Sequence, residues 1–378
     1  MNHAGRMETL RTEMQKQGVA AVFIPLDASL EYFTGAARSK VTNTRTRQNS
    51  AEYSCLLVME KEAVYLNSRL SALGVLANPG KYPVLSQVIP FPDLDLTGET
   101  FIRACTGFGL KGKKLGFLQD ISSTLVLRLQ QDLSVTWVNF DPVVQRMRAR
   151  KDPDEQALMR KAAAINDRIF DAIFPKLQSG TAVEEIMREI DRLMRVFGAS
   201  YSSFNTSVMN FGPLAGSAYG DHYPVLQRGY VLAFDYGVLC NGYCSDFGRT
   251  IFFGEPNQEL IKAHELVMKA QKETIAAIKA GQVTGEALNL LARNVIKSGG
   301  YDGEFQHRVG HGIGKDVHER PFLAAGEKTV LEEGMCFTVE PSLVLPYKGL
   351  VRVEDVVMVT PQGGDNLNSI TRDLIVVE

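Results

Sequence analysis

The stretch YVLAFDYGVLCNGYCSDFGRTIFF, residues 230–253, constrains the fold more than any other part of this 378-residue chain. Two β-rich runs flank Asn241-Gly242, the dipeptide best suited to the positive φ values of a two-residue hairpin turn. If that pair forms the turn, Cys240 faces Tyr243 and opposed residues carry numbers that sum to 483. Asp246 then faces Gly237, which shares a sheet face with Asp235 two residues away. The two carboxylates become diagonal neighbours on one face, roughly 7–8 Å apart at Cβ. That is too far for a direct hydrogen bond and suitable for converging on cations.

EPSLVLPYKGLVRVE repeats the device. Glu340 and Glu354 are equidistant from Tyr347, so a symmetric hairpin centred there places them directly opposite each other. Like charges so opposed destabilise a sheet, and something positive belongs between them. Arg249 and Arg352 are the cationic residues nearest the carboxylates in their own segments. Two divalent cations would balance the four acids, with an imidazole as a further ligand. A site rich in oxygen suits manganese, iron or cobalt better than structural zinc. Two metals about 3.5–4 Å apart hold a bridging hydroxide as nucleophile and polarise a carbonyl.

QHRVGHGIGKDVHERP, residues 306–321, holds three of the six histidines within twelve residues. His311 sits between glycines that let backbone approach a cluster, and it is assigned to metal. His307 and His318 are assigned to substrate contact, as hydrogen-bond donors to a developing oxyanion. Any one of these residues alone is more often a turn, edge or packing residue. Five in compatible register, Asp235, Asp246, His311, Glu340 and Glu354, form a specific pattern.

Around this core the chain reads as two domains. Residues 1–148 alternate short apolar runs (VAAVFIPL, SCLLVME, AVYLN) with helical patterns, an α/β texture. Residues 149–378 open with a charged helical segment starting at Asp152-Pro153, and strands and helices then mix as α+β. Charged residues make up 22 % and the net charge is -2, which gives no footprint for nucleic acid or an anionic membrane. No apolar run approaches the roughly 20 residues of a membrane span, and the amino terminus lacks a signal-peptide core. Five scattered cysteines suit a reducing compartment, so the expected location is cytoplasmic.

DYG at Asp235, SDFGRT at Asp246, GHGIG at His311, VEP at Glu340 and RVED at Glu354 resemble, in order, the ligand segments of the pita-bread metallopeptidase family. That family includes Xaa-Pro aminopeptidase, prolidase, methionine aminopeptidase and the metal-free creatinase. The resemblance covers nearly the whole chain, and residues 1–148 look like the accessory domain of the creatinase and prolidase branch. It implies a pita-bread catalytic domain and two divalent metals, with manganese before cobalt, iron or zinc. Asp246 and Glu354 would bridge the metals, Asp235 would chelate one, and His311 with Glu340 would complete the other. Glu340 would take the proton from the bridging water, and Arg352 would lie behind the ligands or bind substrate.

The implied reaction is hydrolysis of the Xaa-Pro bond at the amino terminus of short peptides, by a dipeptidase or aminopeptidase, in a homodimer. Three departures from the pattern stand out. Ala218 or Tyr219 replaces a histidine in FGPLAGSAYGDHYPVLQRG, with His222 displaced. Phe322 follows Pro321 where an arginine is usual, and Gly248 stands where threonine is common. They leave room for a small non-peptide substrate on the same fold and metals. A non-catalytic binding module is disfavoured by the intact ligand set. Arg45 and Arg47 are further candidates, to read a carboxylate at a partner's site.

Overall fold

The runs AVFI and CLLVM are buried at every position, as strands covered on both faces must be. They belong to the first of two units, Met1–Met147, in a computed structural model that describes residues 1–38, 51–92, 95, 97–212, 224–346 and 348–377. Arg45, Arg47, Ala218, Tyr219, His222 and Tyr347 lie outside the described residues.

Strands β1 (Ala21–Ile24), β2 (Cys55–Met59), β3 (Ala63–Ser68), β4 (Gln87–Phe91), β5 (Lys114–Phe117) and β6 (Thr136–Asn139) form one mixed sheet in the order β4-β3-β2-β1-β5-β6. The helices are α1 (His3–Gln17), α2 (Ala28–Thr34), α3 (Arg69–Leu76), α4 (Glu99–Gly107) and α5 (Ser123–Leu133). Period-two alternation distributes the sheet between two cores. Val22 and Ile24 join Leu10 and Met14 of α1 on one face, and Phe23 joins Phe101 of α4 and Leu129 of α5 on the other.

Helix α6 (Asp141–Ala149) leads into the second unit, Arg148–Glu378. Helix α7 (Pro153–Ile173) starts at a full capping box. Asp152 accepts from the Glu155 N–H at 3.0 Å, and Glu155 accepts from the Asp152 N–H at 2.9 Å. Helices α8 (Val183–Val196), α9 (Gln258–Ala276) and α10 (Gly285–Ser298) follow.

The strands of this unit are β7 (Tyr201–Ser202), β8 (Ser207–Phe211), β9 (Tyr230–Tyr236), β10 (Val238–Cys240), β11 (Tyr243–Cys244), β12 (Phe247–Phe253), β13 (Gly310–Gly312), β14 (Glu319–Leu323), β15 (Cys336–Val339), β16 (Ser342–Leu345), β17 (Gly349–Thr360), β18 (Gly363–Asn366) and β19 (Ile375–Val377). The main path of the large sheet is β14-β13-β15-β17-β12-β9-β8, with β16 and β18 also on β17 and β19 on β12. A small sheet runs β11-β10-β7. No helix among the described residues is long and apolar enough to cross a membrane.

Candidate metal centre

Positive φ at Asn241 (50°) and Gly242 (80°) makes the expected tight turn. Cys240 pairs with Tyr243, and the same register continues to Phe247 opposite Tyr236 and Gly248 opposite Asp235. Gly248 lies between two acids, because its other neighbour across β12 and β17 is Glu354. A Cβ there would stand 2.6 Å from Glu354 Oε2 and 2.9 Å from Arg352 Cδ. Gly248, one of the three departures from the pattern, thus leaves room for the Glu354 carboxylate.

The second hairpin keeps one register on both sides of Glu340. Val339 pairs with Asp355 in β15 and β17, and Ser342 pairs with Arg352 in β16 and β17. Both pairs sum to 694, as Glu340 and Glu354 do. Asp235, Asp246, His307, His311, His318, Glu340, Arg352 and Glu354 line a single pocket, together with Phe204, Arg308 and Val317.

Three of these acids and the histidine meet closely. One ligand atom each of Asp246, His311 and Glu354 lies within 4.8 Å of the others, and His311 Nε2 is 3.3 Å from Glu340 Oε1. Asp235 reaches the group through Arg352, whose Nη1 is 2.5 Å from Asp235 Oδ2 and 3.5 Å from Glu354 Oε2. Ser342 Oγ holds the same arginine at Nε, 2.9 Å away.

The residues fit divalent metal on three observations. Asp246 Oδ1 and Glu354 Oε2 are buried with no hydrogen-bond partner among the described residues, Arg352 Nη1 standing 3.5 Å from the second, a costly state for carboxylate oxygens unless a cation takes their lone pairs. Burial pushes Asp246 up to about 6, with His311 opposing and Asp235 reinforcing the rise. Burial and the charges of Asp246 and Glu340 drive Glu354 well above the usual carboxylate range, despite Arg352. Finally, His311 Nδ1 lies 3.1 Å from the Gly312 carbonyl. A carbonyl only accepts, so Nδ1 carries a proton, and Nε2, 3.5 Å from Asp246 Oδ2, is the ring atom turned to the acids. Burial would lower the His311 pKa, but Asp246 and Glu340 raise it, so Nε2 must give up its proton to a metal. Asp246, His311 and Glu354, with Glu340 and Asp235 beside them, are the residues that could hold the ions.

His307 differs from the sequence expectation of a donor. Its Nδ1 is 2.6 Å from the Arg308 carbonyl, so the proton is on Nδ1, while Nε2 is buried without a partner among the described residues. Burial lowers its pKa, and the neutral ring offers an acceptor at Nε2. His318 packs edge-on against His311 with centroids 4.3 Å apart. Burial, with His311 and Arg308, takes it down to about 4, so it too is neutral at pH 7.

Two supporting groups escaped the sequence reading. Thr338 Oγ1 accepts from the His311 N–H and donates to Glu340 Oε1, both at 3.1 Å. Period two from Glu340 would have found it. Glu319, beside His318, accepts from Arg148 at 2.5 Å, from Lys151 at 3.3 Å and from the Asp316 N–H at 2.9 Å. Nothing in local spacing reveals that buried cluster.

Residues 157–361 match the model of metallopeptidase family M24, and residues 6–150 match the creatinase/prolidase N-terminal domain. A putative dipeptidase of Bacillus subtilis is 35% identical over 377 residues, 98% of this chain and 99% of its own. An Xaa-Pro dipeptidase of Pyrococcus furiosus is 33% identical over 263 residues, 69% of this chain and 75% of its own. The crystal structure of a prolidase from Thermococcus sibiricus superposes with a TM-score of 0.88 at 27% identity, covering 100% of both chains. The architecture is therefore a creatinase-type amino-terminal domain followed by a pita-bread catalytic domain.

Proposed function

We propose, from the premise that this chain belongs to metallopeptidase family M24, that it hydrolyses the Xaa-Pro bond at the amino terminus of short peptides. The observation that carries the reading is the pair of buried oxygens on Asp246 and Glu354 that have no hydrogen-bond partner among the described residues, beside an imidazole whose Nδ1 is held by the Gly312 carbonyl and whose Nε2 faces the acids. The printed names of relatives, Xaa-Pro dipeptidase and prolidase, support the proline preference. Two divalent ions, manganese in this reading, supply an activated water and a Lewis acid when bound.

The chain's own groups do the rest. Glu340 Oε1 is engaged by Thr338, which leaves Oε2 to take a proton from the attacking water and return it to the leaving proline nitrogen. Neutral His318 donates to the carbonyl oxygen as charge develops there. His307 Nε2 accepts from a substrate N–H. Arg352, clamped by Asp235 and Ser342, keeps the Asp235 carboxylate in place. The small-molecule alternative rests chiefly on the altered histidine segment, residues 211–222, of which 213–222 lie outside the described residues.

The test is hydrolysis of Ala-Pro and Ala-Pro-Ala against Ala-Ala and Ala-Ala-Ala, by manganese-loaded and chelator-stripped protein. Manganese-dependent cleavage confined to the proline peptides is expected, and the ratio of dipeptide to tripeptide turnover separates dipeptidase from aminopeptidase. Protein that holds two metals and cleaves neither proline peptide would refute the assignment.

A further inference from the structure

Behind the acids, on the face of β15 and β17 turned toward α9, lies a polar group that the mechanism does not use. Gln271 of α9 is fully buried. Its Nε2 is 3.3 Å from the Val339 carbonyl, 3.3 Å from the Val353 carbonyl and 2.9 Å from Asp355 Oδ2. Val339 immediately precedes Glu340, and Val353 immediately precedes Glu354. One amide therefore touches the backbone one residue before each of two acids on neighbouring strands. All three partners are acceptors, so the orientation of the amide is forced.

That orientation leaves Gln271 Oε1 buried with no hydrogen-bond partner among the described residues. A buried carbonyl left without a donor is destabilising. An apolar side chain would avoid that cost here, among Val267, Ala270, Val339 and Val353 in the same core. Stability alone does not account for a glutamine at this position.

Arg249, 1% exposed, completes the arrangement from β12. Its Nη1 donates to the Glu354 carbonyl at 2.6 Å and to the Gly248 carbonyl at 2.8 Å. Its Nη2 donates to Asp355 Oδ1 at 2.6 Å. Asp355 follows Glu354 on β17 and so points to the opposite face, where both Arg249 and Gln271 hold it.

We infer that Gln271 and Arg249 form a positioning clamp that sets the spacing of Glu340 and Glu354 for metal. The inference rests on the metal reading above. Metal–oxygen distances tolerate little error, and groups that orient ligands are worth 10–100-fold in metal affinity.

The experiment is calorimetric titration of the stripped full-length protein with manganese chloride, paired with thermal melts in chelator. Gln271→Met keeps the volume and removes the donor, and it is expected to weaken manganese binding about 10-fold or more. Thr274→Val is the control. Thr274 is buried on the same helix and donates to the Ala270 carbonyl at 2.7 Å, so its replacement perturbs the same helix without removing a hydrogen bond to the Val339 or Val353 carbonyl. It should bind manganese as the wild type does. Wild-type affinity in Gln271→Met, or equal weakening in Thr274→Val, would overturn the clamp. If Gln271→Met does not fold, Gln271→Asn, one methylene short, carries the same comparison. Wild-type protein that takes up no manganese would instead bring down the metal reading, and the clamp with it.

Discussion

At Glu354 binding and folding make opposite demands. The site needs an ionised carboxylate, yet burial and the neighbouring acids Asp246, Glu340 and Asp235 disfavour ionisation. Its folded pKa lies above the unfolded value, so the native chain binds more protons. The group's contribution to metal-free stability is present at low pH and is lost as pH rises through the folded pKa. Glu354→Gln removes that cost and the ligand together. Without metal at pH 8 the variant should melt above the wild type, by about 2–4 °C for each kcal/mol regained, and the gap should close toward pH 4. Manganese should then raise the wild type's Tm and leave the variant's unchanged. A stripped variant that melts below stripped wild type at pH 8 would refute this account. The positions of Glu354 and Asp246 were legible because hairpin register is arithmetic. Gln271 and Arg249 were not, since a contact from α9 or β12 to the back of β17 leaves no period in the sequence.

Elements were read in proportion to their apolar patterning. The hairpin of β9 to β12 and the strands β15 to β17 follow from alternation about a turn, whereas β18 (GGDN) is half-buried throughout and carries no strand signature. Strand β14 was hidden inside the histidine segment. It begins at Glu319, and what holds that end is charge rather than propensity. Burial would raise the Glu319 pKa, but Arg148 and Lys151 hold it down at about 2. A depressed carboxylate stabilises the fold above its unfolded value near 4.5, and the gain is lost as pH falls toward 2. Glu319→Gln should therefore cost about 3 kcal/mol at pH 7. The difference from wild type should shrink between pH 4.5 and pH 2 in denaturant titrations. A difference that stays constant over that range would show that packing, not the ion pairs, ties β14 to its neighbours.

At the scale of the whole molecule, the division of labour is uneven. The first unit has its own two cores around one sheet. The eight residues assigned to metal and catalysis lie in the second, on β9, β13 and β17 or in the segments between strands. Ligand binding stabilises what it touches, by an amount set by free ligand over Kd, and local opening reports that stabilisation segment by segment. Hydrogen exchange with and without manganese should therefore slow in the segments bearing Asp235, Asp246, His311, Glu340 and Glu354. The sheet from β1 to β6 should exchange at an unchanged rate. Protection spread equally over both units would mean that metal stabilises the chain as one cooperative body. Protection confined to the first unit would place the metal somewhere other than at these acids.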